Sequence, residues 1–191
     1  MKYCWFYKTA QVNSKFINKL VKDCEKKELS DGIISDFNGD YSINKDIRKA
    51  KVTFLNRKKH LPVYNLINTL GVNINNEAFG FDINQLEACQ FTLYEESNSG
   101  HYDWHIDTNW LDETSMRHRK ISVVIQLSDP SEYKGGELEI QDSNLNSQQL
   151  KETMQKGSVI TFPSFVQHRV KPITKGKRMS LIGWVVGAKF R

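Results

Sequence analysis

Two hydrophobic patterns divide the chain. In residues 11–29 apolar side chains recur every three or four positions, which predicts an amphipathic helix. A second helix is expected to begin at Pro62 and to end at Gly71, because proline suits the first helical turn and glycine the residue after the last one. From about residue 84 onward, short apolar or alternating segments are separated by turn residues, which is typical of β-strands.

The strand pattern predicts the fold class. An early strand is expected at 50–55, and residues 30–46, which have no clear period, are expected to form a long loop. The later strands are predicted at 86–95, 102–106, 121–127, 137–141, 158–162, 166–171 and 179–186. Seven or eight short strands without helices between them favour a mainly β (α+β) jelly roll, with the N-terminal helices packed on one outer face.

Length and composition are those of one globular domain. We expect a single domain over residues 1–191, with a helical and strand support region at 1–83 and the jelly-roll core at 84–191. No apolar run approaches the roughly 18 residues that cross a bilayer, so no membrane partner is expected. The three cysteines, Cys4, Cys24 and Cys89, are odd in number and widely spaced. This spacing excludes a disulfide framework and favours a cytoplasmic location.

The net charge of +5 would permit an acidic partner. The lysines of the first helix lie mainly opposite its apolar face, which is more typical of a solvated surface than of a nucleic-acid interface. His60 and His118 lie in basic runs and are predicted to be at the surface. Nucleic acid is therefore not an expected partner.

The residues with candidate chemistry begin at position 101. On a strand, residues i and i+2 face the same side, so His105 and Asp107 could bind one metal ion, and His101 and Asp103 form a second such pair on the same predicted face. His168 follows in a later predicted strand. Two histidines and one carboxylate are the facial triad that leaves open positions on iron(II).

Arg178 is the second chemical signal. It follows an expected turn at Lys175 and Gly176, which would place it on the strand after that of His168. Ser180 lies two residues further on and faces the same way. The planar guanidinium of arginine binds carboxylates through two parallel hydrogen bonds, so a dicarboxylate would suit this position. Gly135 and Gly136 are expected to serve a tight turn.

Several short motifs occur in a specific order. They are residues 47–52, 79–82, 90–94, 102–107, 120–128, 135–138, 157–163, 168–170 and 176–180, followed by Trp184. In this order and spacing the chain resembles the iron(II)- and 2-oxoglutarate-dependent oxygenases of the prolyl 4-hydroxylase type, close to the bacterial PKHD-type hydroxylases. The resemblance implies a double-stranded β-helix, which agrees with the predicted strands.

The resemblance also implies roles for individual residues. The family's Tyr-x-x-His-x-Asp phrase selects the pair at 105 and 107 over the pair at 101 and 103. The implied iron ligands are His105, Asp107 and His168. Arg178 would bind the distal carboxylate of 2-oxoglutarate, with Ser180 and Tyr94 as further hydrogen-bonding groups, and Trp184 would lie near the metal.

The implied function is that of a dioxygenase similar to procollagen-proline 4-dioxygenase. It would hydroxylate an unactivated C–H bond, with a prolyl residue of a peptide or protein as the favoured substrate. Iron(II), 2-oxoglutarate and O2 would be required, succinate and CO2 would be released, and ascorbate would restore oxidised iron. Two alternatives remain: a cupin-like metal hydrolase with the same ligands, which leaves Arg178 without a role, and a basic nucleic-acid-binding module with a vestigial metal site.

Overall fold

Antiparallel strands make up most of the molecule. The structure, a computed structural model, describes residues 5–35, 41–110, 115–142 and 146–190. Its helices are α1 (Ser14–Glu25) and α2 (Leu61–Ile74), the second continued by a π-helical turn at Asn75–Phe79. The strands are β1 (Phe6–Lys8), β2 (Ser30–Asp31), β3 (Ile34–Ser35), β4 (Tyr41–Ser42), β5 (Arg48–Lys49), β6 (Lys51–Phe54), β7 (Gln85–Glu95), β8 (His101–His105), β9 (Arg117–Gln126), β10 (Tyr133–Gly135), β11 (Leu138–Gln141), β12 (Ser147–Gln149), β13 (Val159–Pro163), β14 (His168–Val170) and β15 (Ile173–Ala188).

Two main sheets form the jelly roll that the sequence predicts. The larger sheet has the strand order β1-β13-β9-β15-β7-β6-β2, with β10 attached to β15. The smaller sheet has the order β12-β11-β14-β8-β5, and β3 pairs with β4 separately. An apolar core that includes Phe162, Ile140 and Val170 fills the space between the two main sheets.

A second core joins the helices to the outer face of the larger sheet, which confirms the predicted packing. Ile17 of α1, Ile67 of α2 and Phe91 of β7 are fully buried in it. Glycines allow α2 to lie close to β15, because a Cβ on Gly71 would be 2.7 Å from Val185 and one on Gly183 would be 2.5 Å from Ile67. The position of Gly71 is thus set by packing, and the prediction that it ends the helix is wrong, since α2 continues to Ile74.

The structure corrects two further boundaries. The segment 30–46, predicted as a loop, carries the short strands β2, β3 and β4, while residues 36–40 lie outside the described residues. The turn predicted at Lys175 and Gly176 is wrong, since both residues belong to the continuous strand β15. Gly176 has φ of 71°, and a Cβ there would lie 2.1 Å from the carbonyl oxygen of Glu132. The close approach of β10 therefore explains this glycine.

His118 is a further correction, because it is buried with only 6% of its surface exposed. Its ring packs near Trp110 and Phe190, and its Nδ1 accepts a hydrogen bond from the backbone N–H of Phe190. A basic run on a strand predicts a surface position only if both faces of the strand are solvated, and this strand end is covered by the C-terminal residues. His60, also predicted at the surface, is half-buried beside Asn56.

Both cysteines of the described residues, Cys24 and Cys89, are free and buried. Burial raises the pKa of the Cys24 thiol to about 11 and that of Cys89 to about 12, so both remain protonated at neutral pH. Cys4 lies outside the described residues. Within the same ranges, no helix is long and apolar enough to cross a membrane.

Candidate metal centre

A β-bulge in β8 determines which side chains enter the space between the sheets. His105 is opposite His168 on β14, whereas Tyr102 is opposite Val170, so β8 has one more residue than its partner between these pairs. The extra residue places Tyr102 and His105 on the same inner face, where their rings stack with centroids 3.4 Å apart. The simple alternation expected for a strand therefore fails at this point.

The bulge also separates the two histidine–aspartate pairs. The ring nitrogens of His101 lie within hydrogen-bonding distance of the carbonyl oxygens of Ser99 and Asp46, and the carboxylate of Asp103 lies 4.0 Å from Arg169. Both groups are outside the cluster that could hold a metal. The expectation that they share a face with His105 and Asp107 is wrong, because the extra residue shifts the period of two.

The side chains of His105, Asp107 and His168 converge between the sheets. Nε2 of His105 is 3.9 Å from Oδ1 of Asp107, and Nε2 of His168 is 3.7 Å from Oδ2 of the same carboxylate. The candidate ligand atoms of all three residues lie within 4.8 Å of one another. With metal–ligand bonds of about 2 Å, two nitrogens and one oxygen at these separations can bind a common ion on one side.

Backbone carbonyls orient both histidines. Nδ1 of His105 is 2.7 Å from the carbonyl oxygen of Asp103, and Nδ1 of His168 is 2.9 Å from that of Val166. A carbonyl oxygen only accepts, so each Nδ1 carries the proton and each Nε2 presents a lone pair to the cluster. Burial, and after it the neighbouring His168, lowers the pKa of His105 well below its ordinary value, which keeps the imidazole neutral.

Two serines hold Asp107 in place just beyond the end of β8. Ser122 Oγ donates to Oδ2 of the aspartate at 2.6 Å and lies 2.9 Å from Ser164 Oγ. The backbone N–H groups of Asp107 and Thr108 both donate to the carbonyl oxygen of Ser164. Burial raises the pKa of the Asp107 carboxyl, but the two histidines, Arg119 and the hydrogen bond from Ser122 outweigh it and hold this pKa at about 2. The group is therefore a carboxylate at neutral pH.

Arg178 lies on the inner face of the larger sheet and is buried, with 4% of its surface exposed. It is directly opposite Tyr94 of β7, and its guanidinium carbon is 5.7 Å from the centre of that ring. Ser180, two residues along β15, is also buried. No carboxylate among the described residues forms an ion pair with Arg178. A buried cation of this kind is costly unless an anion reaches it.

Three neighbours complete the surroundings of Arg178. Tyr133 of β10 shares a side-chain hydrogen bond with Arg178, and its hydroxyl accepts a hydrogen bond from Nε2 of Gln126 at 2.9 Å. The Oε1 atom of Gln126 is buried and has no hydrogen-bond partner in the described part of the chain. Gly136 has φ of 67°, and a Cβ at this position would be 3.0 Å from the Arg178 side chain. The glycine at position 136 thus leaves room for the arginine.

Tyr94 is buried, and the charges of Arg48, Arg178 and Asp107 act on its hydroxyl. Burial raises the pKa of Tyr94, so its hydroxyl remains a hydrogen-bond donor. Trp184 lies opposite Ser122, the serine bound to Asp107, and its indole Nε1 is buried without a partner among the described residues. The structure therefore brings together the side chains of His105, Asp107 and His168, and it places Arg178 beside Tyr94 on neighbouring strands.

Sequence reasoning missed several residues around this centre. They are Tyr102, Ser122, Ser164, Gln126, Tyr133 and Arg119. For two of them a signal was present: Ser122 and Gln126 are polar positions four apart in the otherwise apolar strand 121–127, which puts them on one face. The others depend on contacts between distant segments and have no local pattern.

Comparisons with known proteins agree with this geometry. Residues 89–186 match the model of the 2OG-Fe(II) oxygenase superfamily. A PKHD-type hydroxylase of Aliarcobacter butzleri is 37% identical over 98 residues, which are 50% of this chain and 41% of that protein. This chain thus matches less than half the length of that relative.

Solved structures show the same fold. The prolyl-4-hydroxylase of Pseudomonas putida superposes with a TM-score of 0.76 at 19% identity, over 98% of this chain and 95% of the other. A Trichoplax adhaerens prolyl hydroxylase in complex with a hypoxia inducible factor peptide fragment also gives 0.76, at 16% identity, over 96% and 84%. The family match spans just over half of the chain and includes the residues of the triad and the Arg178 pocket. The chain belongs to the 2OG-Fe(II) oxygenase superfamily, with PKHD-type hydroxylases among its relatives.

Proposed function

We propose that this chain is an iron(II)- and 2-oxoglutarate-dependent dioxygenase that hydroxylates an unactivated C–H bond at a prolyl residue of a peptide or protein. The observation that carries the proposal is the buried Arg178, which has no carboxylate partner among the described residues and lies in the same barrel as the two-histidine, one-aspartate cluster. A metal hydrolase with the same three ligands would leave that cation without a partner.

In this proposal His105, Asp107 and His168 bind iron(II). Their fit rests on the donor set and on its protonation, since both Nε2 atoms carry lone pairs and Asp107 is ionised. The bonds to backbone carbonyls and to Ser122 fix the direction of each donor before a metal arrives. These three side chains would hold the ion through two imidazole nitrogens and one carboxylate oxygen, a donor set that leaves coordination positions open on iron(II).

Arg178 binds the distal carboxylate of 2-oxoglutarate through its planar fork. Ser180 and Tyr94 add hydroxyl donors to the same carboxylate, and Gln126 and Tyr133 complete the polar wall. Bound there, iron(II) and 2-oxoglutarate would supply the oxidation chemistry, in which one oxygen atom of O2 would enter the substrate C–H bond and the other would enter succinate as CO2 leaves. The protein's part is to hold the distal carboxylate of the diacid in one position. The other end of the diacid would then already be oriented toward the metal site.

The choice of a prolyl substrate rests on the relatives. One structural neighbour is named as a prolyl-4-hydroxylase, and another binds a peptide fragment of hypoxia inducible factor. Apolar side chains with large exposed surfaces, Ile33, Tyr41, Ile43 and Phe54, occur in and near segment 30–46, and Phe54 lies 6.5 Å from Trp184. They would suit the docking of a peptide, and segment 30–46 would act as a lid over it. We also propose that the reaction requires O2, that ascorbate reactivates the enzyme, and that the protein is cytoplasmic.

The test is the formation of succinate from 2-oxoglutarate by the purified protein with iron(II) and ascorbate. A library of prolyl peptides is then incubated with the same mixture, and mass spectrometry reports peptides that gain one oxygen atom. We expect slow succinate formation alone and a strong increase with accepted peptides. A protein that binds iron but never consumes 2-oxoglutarate would refute the proposal and favour the hydrolase. Tight, salt-dependent binding of RNA or DNA without turnover would favour the nucleic-acid module.

A further inference from the structure

One row of side chains crosses the outer face of the smaller sheet, behind the candidate metal site. Gln149 of β12 is opposite Glu139 of β11, and Glu139 is opposite Arg169 of β14. On β8 the two residues of the bulge, Asp103 and Trp104, lie at the level of Arg169. Arg169 also directly follows the candidate metal ligand of β14 in the sequence. The row therefore includes residues of both strands that carry the histidines of the triad.

A buried carboxylate anchors Arg169 on one side. Nε of Arg169 donates to Oε2 of Glu139 at 2.6 Å, and the Glu139 side chain is only 7% exposed. Nε2 of Gln149 donates to the other oxygen of this carboxylate at 3.1 Å. Because the guanidinium is planar and its hydrogen bonds to a carboxylate are directional, this anchor fixes the direction in which the arginine points.

On its other side Arg169 covers the two residues of the bulge. Its guanidinium carbon lies 4.7 Å from the centre of the Trp104 ring, and its Nη1 is 4.0 Å from Oδ1 of Asp103. The contact with the half-buried Trp104 is a cation–π interaction. The contact with Asp103 is weak, because that side chain is 55% exposed to solvent. Arg169 therefore acts on the bulge mainly through Trp104.

The backbone of this bulge orients His105, since the carbonyl oxygen of Asp103 lies 2.7 Å from His105 Nδ1. A bulge leaves one residue without a partner across the strand pair, so the pairing is locally weaker than in a regular strand. A shift of β8 by one residue would move His105 from the inner face of the sheet to the outer face. A side chain that holds the bulge from outside therefore also holds the ligand inside, and Arg169 is the residue opposite the bulge.

We propose that Arg169 is a positioning residue for the candidate metal site. Anchored by the buried carboxylate, it packs over Trp104 and keeps the β8 bulge in the register that directs His105 toward the other two ligands. The inference rests on the proposed function, because it takes the triad to bind the metal. It adds a group on the outer surface of the barrel to those that set the affinity and the geometry of the site.

The experiment measures the binding of cobalt(II), whose visible absorption reports the geometry of its ligands. Dissociation constants are obtained by competition with a fluorescent chelator, and spectra are recorded at saturating cobalt. Loss of a group that orients a metal-binding histidine typically weakens metal binding roughly ten- to a hundredfold. Since Arg169 acts through the bulge, we expect Arg169→Ala to weaken cobalt binding about tenfold and to change the spectrum. Trp104→Ala, which retains the ion pair with Glu139, should do the same, and the double variant should bind about as weakly as either single variant.

Lys171→Ala is the matched control. Its side chain is 36% exposed, against 34% for Arg169, and its Nζ lies 3.8 Å from the same carboxylate of Glu139. Lys171 is two residues beyond the position opposite the bulge, so this variant should keep the dissociation constant and the spectrum of the wild type.

The inference would be overturned by an Arg169→Ala constant within about twofold of the wild type, by an unchanged spectrum, by an equal loss of affinity in Lys171→Ala, or by additive losses in the double variant. The proposed function has its own readout in succinate formation. A wild type that binds cobalt but never forms succinate with iron(II) would refute that function alone, whereas a wild type that binds no cobalt would refute both.

Discussion

Replacement of Arg178 by alanine tests the cosubstrate pocket most directly. Hydrogen bonds to a charged group contribute about 1.5–3 kcal/mol, so the variant should bind 2-oxoglutarate roughly ten- to a hundredfold more weakly. A ligand at 100 times its dissociation constant stabilises the folded state by about 2.7 kcal/mol. The same concentration would stabilise the variant by about 0.4–1.4 kcal/mol. For a chain of this size, the lost 1.3–2.3 kcal/mol corresponds to a melting temperature about 3–9 °C lower in the presence of 2-oxoglutarate.

The assay is thermal unfolding with manganese(II) present, with and without 2-oxoglutarate, followed by the Michaelis constant for 2-oxoglutarate with iron(II). Without cosubstrate, Arg178→Ala should not lower the melting temperature much, because it removes a buried charge that no carboxylate of the described residues pairs with. Metal content should remain close to that of the wild type, since the arginine is outside the triad.

Two matched variants make the result specific. Arg178→Lys keeps the charge but not the fork, so its affinity should lie between those of wild type and alanine variant. Lys177→Ala removes a charge from the adjacent, exposed position, which pairs with Glu95, and should keep the full response to 2-oxoglutarate. If Arg178→Ala retained that response, the assignment of the pocket would be wrong even with correct metal ligands.

Three other predictions follow from the site and its surroundings. Alanine at His105, Asp107 or His168 should abolish iron binding and succinate formation, as measured by metal analysis and turnover. Alanine at His101 or Asp103 should preserve both. Loss of iron in the His101 variant alone would show that the assignment of the metal site to the pair at 105 and 107 is wrong. Burial raises the pKa of Glu139, but hydrogen bonds from Arg169 and Gln149 outweigh it and hold the pKa below the ordinary 4.5. The ionised Glu139 therefore stabilises the folded state above that pH, and this stabilisation is lost as the pH falls below it. Denaturant titrations below about pH 4.5 should then show that the free energy of unfolding falls less steeply with pH in Glu139→Gln than in the wild type. Backbone amides of segment 30–46 should gain protection from hydrogen exchange when 2-oxoglutarate and an accepted peptide are bound, and unchanged exchange in such a complex would exclude a lid.

The sequence was sufficient to predict the jelly roll, for a physical reason. Short apolar segments that cannot each form a stable unit must pair into sheets, and a helix with one apolar stripe must cover a sheet face, so the fold class follows from the pattern alone. The sequence nominated His105, Asp107, His168 and Arg178 because their residue types and order are unusual together. Positions such as Ser164 and Tyr133 were not, since their importance depends on which distant segment they contact.

One group of expectations, those on which face of a strand a side chain occupies, fails where the strands deviate from a period of two. The bulge in β8 turns Tyr102 inward beside His105 and leaves His101 on the other face, and the bulges beside β15 bring Glu87 and Arg119 together. An extra residue in a strand cannot be recognised from the hydrophobic pattern, because the free-energy cost of the bulge depends on the pairing with the partner strand. Bulges in protein families commonly serve to redirect a side chain at a site. In this chain three such bulges, in β8, β7 and β9, change which side chains those strands present to the inner face.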